Sequence, residues 1–181
     1  MNYQTIADVY TANDKIRGRL KETVGNITDE QANTLPEDGK WTIAQLVEHI
    51  SMVEDGMTRI CAKLLNGAKE AGKMSDGAVK LSDDFLQKAE ESREQKLEAP
   101  DRVHPKCNQT ISESLAKMEE SRQRLNELRP LFESVECSDQ KFPHPAFGEL
   151  TAHEWLALVG GHEARHTAQI KRILKGKRVK G

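Results

Sequence analysis

The sequence predicts an all-α fold: a four-helix bundle with a long crossover between the second and third helices, residues 1–181 forming a single domain. Three observations predict it. Apolar residues recur at helical spacing in four segments. No segment sustains the apolar–polar alternation of a strand. A polar stretch interrupted by Pro100 and Pro105, residues 73–107, separates the second segment from the third. Four amphipathic helices bury their apolar stripes most economically against one another.

The first helix spans about residues 4–25, because Ile6, Val9, Ile16, Leu20 and Val24 fall in phase. A short piece follows, opened by Thr28 and closed at Pro36, and PEDGK is a turn by composition. The second helix starts at Trp41-Thr42 with the stripe Ile43, Leu46, Val47, Ile50, Val53, Met57, Ile60 and Leu64, and Gly67 and Gly72 end it. In the crossover, Val79, Leu81, Phe85 and Leu86 suit a short helix, and the charged run Lys88–Glu98 belongs in water. Thr110–Leu128 forms the third helix, stopped or kinked by Pro130, and FPHPAFG reads as a rigid loop. The fourth runs from about Glu149 to Leu174 with Leu150, Trp155, Leu158, Val159, His162, His166, Ile170 and Ile173 on its stripe.

A net charge of −2 lacks the positive excess of a dedicated nucleic-acid binder, so no nucleic-acid partner is expected. The basic end KRILKGKRVKG complements a helix C-terminus. Cys61, Cys107 and Cys137 form no CxxC pair. No segment has the apolar length of a signal peptide or a membrane span, so the expectation is a cytoplasmic, reduced protein with no membrane partner.

The chemistry concentrates in GGHEARHTAQI, residues 160–170. His162 and His166 stand four residues apart, so both imidazoles leave one helix face within reach of one ion. They replace apolar residues in the core stripe, where a buried imidazole needs a partner. HEARH also fits the zinc-protease pattern H-E-x-x-H. No His, Cys, Asp or Glu follows His166, however, so a third ligand has to come from upstream. His49 flanks the stripe of the second helix and suits that place. His104 and His144 each precede a proline in a loop, and His153 is about half a turn out of phase with His162, which points to the surface or to a bracing role. Glu163 and Glu48 adjoin candidate ligands and are expected to be solvated or bracing rather than general bases. Gln169 shares the ligand face, Arg165 could hold an anion or meet a surface carboxylate, and Trp41 and Trp155 suit core anchors.

The pieces KWTIAQLVEHI, HPAFGELTAHEWL and GGHEARHTAQIKRI resemble the DinB superfamily, in particular its bacillithiol-transferase and metal-dependent hydrolase type. The family pattern, one His in the second helix and an H-x3-H pair before Gln-Ile in the fourth, falls on His49, His162, His166, Gln169 and Ile170. The resemblance implies a three-His site for a divalent ion, zinc or nickel, and a homodimer. It implies hydrolysis or S-transfer involving a low-molecular-weight thiol, with a small molecule as substrate. A non-catalytic, metal-binding stress-response dimer and, more remotely, an H-E-x-x-H zinc protease are the other readings. The sequence assigns no catalytic residue. Metal binding by imidazole is expected to weaken as pH falls through about 6.5.

Overall fold

A computed structural model describes residues 3–37, 39–92 and 98–178. The elements in order are α1 (Ile6–Val24), α2 (Asp29–Asn33), α3 (Ile43–Glu70), α4 (Asp83–Glu91), a 3-10 turn at Asp101–Val103, α5 (Ile111–Glu127), α6 (Arg129–Ser134), β1 (Lys141–His144), β2 (Gly148–Thr151) and α7 (Ala152–Arg178). Local chemistry sets the helix starts. Thr5, Thr28, Thr42 and Thr110 each close a capping box with the residue three positions on, and Ser82 caps α4. The second predicted helix runs through Gly67 to Glu70, and Gly72 (φ 70°) takes the left-handed turn beyond it.

The long helices α1, α3, α5 and α7 form the four-helix bundle. Side-chain pairs give their directions. Asn13 meets Leu156 and Arg17 meets Glu163, so α1 and α7 ascend together. Gln45 meets Cys107 and Asp55 meets Arg124, so α3 and α5 also run alike. His49 faces His162 while Cys61 lies at Ala152, which sets α3 against α7. Two consecutive long helices with one direction require the crossover, which carries α4. Phe85 of α4 is fully buried and anchors that crossover on the bundle. Of the charged run Lys88–Glu98, residues 93–97 lie outside the described residues, as do 179–181 of the basic end.

The expected loop FPHPAFG is instead an antiparallel hairpin, with Phe142 opposite Leu150 and Pro143 opposite Glu149. Each strand has four residues, too short for sustained alternation, and Pro143 sits where its missing N–H costs no ladder bond in a two-stranded ribbon. The hairpin delays the last helix to Ala152. Two apolar clusters fill the bundle: one around Tyr10, Leu65, Phe132 and Trp155, the other around Leu20, Ile43, Leu46, Met118 and Ile170. Among the described residues, no helix is long and apolar enough to cross a membrane.

Candidate metal centre

The stripe of α3 turns His49 inward one turn after Leu46, and the stripe of α7 turns His162 and His166 toward it. One ligand nitrogen from each lies within 4.8 Å of the other two. The closest approach is 3.2 Å between the Nε2 atoms of His49 and His162. His49 is buried and the α7 pair is half-buried.

Neighbouring acceptors orient the rings. The Val103 carbonyl lies 2.8 Å from His49 Nδ1 and can only accept, so Nδ1 carries the proton and Nε2 presents its lone pair to the cluster. Gln169 Oε1 lies 3.0 Å from His166 Nδ1 and does the same for that ring, which gives Gln169 the bonding role its place on the ligand face anticipated. Burial lowers the pKa of all three: His49 against the pull of the Val103 bond, His166 to about 4, and His162 well below the usual value with His166 and His49 adding to the effect. All three imidazoles are therefore neutral at pH 7, the form that binds metal. An ion at this site would meet neutral ligands below the 6.5 of free histidine. The donor set suits a divalent ion of the zinc or nickel kind.

The loop that ends the crossover covers the α3 side. Glu48 is fully buried, and its carboxylate accepts the Lys106 and Cys107 amides at 3.1 and 3.0 Å. It therefore braces the loop that supplies Val103 instead of standing in water. Trp41 is half-buried, its ring 4.8 Å from His49 and 5.7 Å from His104, so it walls the site as well as starting α3. Trp155 is the core anchor expected.

Two sequence expectations offered alternatives, and the structure rejects the exposed one in each. His153 is not at the surface: it is 4% exposed, and its Nδ1 accepts the Lys80 amide at 3.2 Å because the crossover packs over α7. Glu163 is not solvated either. It is 1% exposed, and Arg17 Nε donates to its Oε1 at 2.8 Å. That carboxylate is committed away from the histidines, which removes the general base that the H-E-x-x-H protease reading requires. Arg165 donates to the Ser92 carbonyl rather than meeting Glu154 or Glu163.

A further histidine was set aside in the sequence as a loop residue preceding a proline. His144, on the hairpin, packs 5.3 Å from the Trp155 ring, and Trp155 shares a helix face with His162 seven residues on. Its Nδ1 accepts the Ala146 and Phe147 amides, so Nε2 carries the proton, and burial lowers its pKa to about 4. The Pro143-His144-Pro145 setting marked only a loop.

Comparison with known proteins agrees with this architecture. The sequence model of the DinB superfamily matches residues 12–170. YuaE of Bacillus subtilis strain 168 is 30% identical over 149 residues, covering 81% of this chain and 85% of the relative. A protein of Oceanobacillus iheyensis named "Putative metal-dependent hydrolase" is 26% identical over 170 residues, covering 92% and 86%. Two solved structures share the fold at 21% identity. They are TT2238, described as a four-helix bundle protein (TM-score 0.61, covering 92% of this chain and 98% of that one), and YfiT of Bacillus subtilis (TM-score 0.59, covering 94% and 86%). YfiT is described as a probable metal-dependent hydrolase with an unusual four-helix bundle topology.

Proposed function

The chain belongs to the DinB superfamily, and from that premise we propose that it is a divalent-metal-dependent hydrolase whose ion is held by His49, His162 and His166. The observation that carries the reading is the convergence of three buried or half-buried imidazoles within 4.8 Å, two of them with Nδ1 already committed to an acceptor. The hydrolase description of the Oceanobacillus iheyensis relative supports the choice of reaction. A divalent ion held by these three neutral imidazoles would keep its full charge and leave an open position, and would supply activation of water or polarisation of a substrate oxygen.

The chain's own residues do the rest. Val103 and Gln169 fix two ligand rings, so little ordering is left to be done on binding. Trp41 and the strapped loop 103–107 shield the α3 side of the site from water. His144, with its proton on Nε2 and its lone pair taken, serves as a hydrogen-bond donor to a small-molecule substrate and not as a base. Neither Glu48 nor Glu163 is available to take a proton. S-transfer to a low-molecular-weight thiol would use the same open position and is the second chemistry to assay.

The test is metal loading followed by hydrolysis. Purified protein given Zn2+ or Ni2+ should take up close to one ion per chain and hydrolyse members of an ester, amide and phosphoester panel. His162→Ala should lose both properties. Undiminished metal uptake by His162→Ala would refute the site, and metal uptake without any turnover would leave the metal-binding reading and defeat the hydrolase.

A further inference from the structure

Beside the histidines, around the α7 helix, lies a second polar cluster, made of one residue from each long helix: Arg17 of α1, Glu54 of α3, Arg122 of α5 and Glu163 of α7. None is more than 5% exposed. Resting on the metal-site reading above, we infer that Arg17 is a positioning residue that clamps α3 to α7 and so presets the convergence of His49 with His162 and His166.

The geometry is that of a fork gripping two carboxylates. Arg17 Nε and Nη2 reach the two oxygens of Glu163 at 2.8 and 3.3 Å, and the same Nη2 pairs with Glu54. Arg122 backs this up at 3.6 Å from Glu54 and 3.9 Å from Glu163, and Asp14 holds it from the other side at 2.9 Å. Both gripped residues stand on the helices that carry the histidines. Glu163 directly follows His162, about 100° around the helix, and Glu54 is five residues after His49, about 7.5 Å along α3. A rotation of α7 that carried the histidines off His49 would pull Glu163 off Arg17, where a buried carboxylate finds no replacement partner. A slide of α3 against α7 would separate Glu54 from Glu163 on the shared guanidinium. A lysine carries the same charge but cannot offer the planar fork that spans both.

Co2+ binding to the full chain tests this, because its visible absorption band reports ligand geometry independently of turnover. Arg17→Lys and Glu163→Gln should each weaken Co2+ binding about tenfold or more and shift or broaden the band. Val9→Ala, two turns earlier on α1 in the apolar core, should lower the melting temperature and leave both the Kd and the band unchanged. Folded variants with wild-type Kd and band would overturn the clamp. So would failure of both to fold at a temperature where Val9→Ala is native, since the cluster would then serve the fold and not the site. A wild-type chain that binds no Co2+ refutes the metal site itself, an outcome distinct from either.

Discussion

Helix α7 carries two polar faces about a quarter turn apart, and they obey different rules. Toward α1 and α5, Glu163 meets two arginines with Glu54 beside it, so two carboxyl groups and two guanidinium groups close on one another. Toward α3, His162 and His166 meet His49, three neutral donors with nothing of opposite character among them. The first face pairs acid with base within the chain, although Arg17 Nη1, Glu54 Oε1 and Arg122 Nε and Nη2 make no hydrogen bond. The second has a His49 lone pair pointing at another imidazole nitrogen 3.2 Å away, an arrangement that a shared proton or a cation satisfies. Buried groups of opposite character that pair with one another order a fold, whereas like imidazole ligands that converge on one point are poised for a cation.

The sharpest way to break this contrast is to remove one member from each face of the metal-free protein. Arg17→Met leaves Glu54 and Glu163 buried and short of a partner, and urea unfolding should show a loss of about 3–5 kcal/mol. His162→Leu exchanges a neutral ring for an apolar side chain of similar size. It should leave stability within about 1 kcal/mol or raise it, while metal uptake disappears. Equal destabilisation by the two substitutions would mean that the histidines also hold the fold, and the distinction would fall.

How much of this was legible in the sequence follows the same division. The apolar stripe Ile43, Leu46, Val47, Ile50 placed α3 with His49 on its flank, and the i, i+4 pair placed the other two histidines, because those signals are local; the choice of His49 as their partner came from exclusion of the other histidines and from the family resemblance. The ionic cluster was invisible to that logic. Glu163 looked solvated because its partner Arg17 lies 146 positions away and no single-sequence rule joins them. A weaker signal was present: Asn13 and Arg17 stand in phase with Val9 and Leu20, Glu54 with Ile50 and Met57, Arg122 with Met118 and Leu125. Polar residues at core-phase positions on every long helix indicate a buried network. Likewise α7 has a second inward face, Leu156, Gly160, Glu163, Thr167 and Ile170, whose small and polar members hid it. His153 was misplaced because the crossover that covers it is remote in sequence.

A smaller effect tests how closely the ionic face is packed. A Cβ on Gly160 would lie 2.1 Å from Asn13 Oδ1 and 3.2 Å from the Ile16 side chain, so α1 approaches α7 only because this residue is glycine. Asn13 cannot easily give way, since its Nδ2 donates to the Leu156 carbonyl at 3.1 Å. Gly160→Ala should cost about 1–3 kcal/mol despite alanine's helix preference. Gly18→Ala, next to Arg17 but with open space around its Cβ, should gain about 0.5–1 kcal/mol from that preference alone. Chemical denaturation of the two variants separates close approach from propensity, and a neutral Gly160→Ala would show that α1 can retreat without loss.

The finest distinction between the two faces is their response to acid, because their signs differ. Burial holds His166 and His144 at about 4 and lowers His49, His153 and, furthest, His162, from the 6.5 of a free imidazole. Between about pH 6.5 and 4 the unfolded chain therefore binds protons that the native chain refuses. Stability of the metal-free protein is whole above that window and is lost as pH falls through it. Glu54 works the other way. Burial outweighs Arg17 and Arg122 and raises its carboxyl from 4.5 to about 7, so the native state keeps a proton that the unfolded state releases. Its contribution is present below about 4.5 and is lost as pH rises toward 7. Several histidines oppose one carboxyl, so urea unfolding in a metal chelator should show net stability falling from pH 7 to pH 5. His166→Leu should flatten that slope and Glu54→Gln should steepen it. Slopes that move together in the two variants would mean that the faces of α7 are one electrostatic unit, and that the histidine cluster draws its neutrality from the arginines behind it rather than from burial.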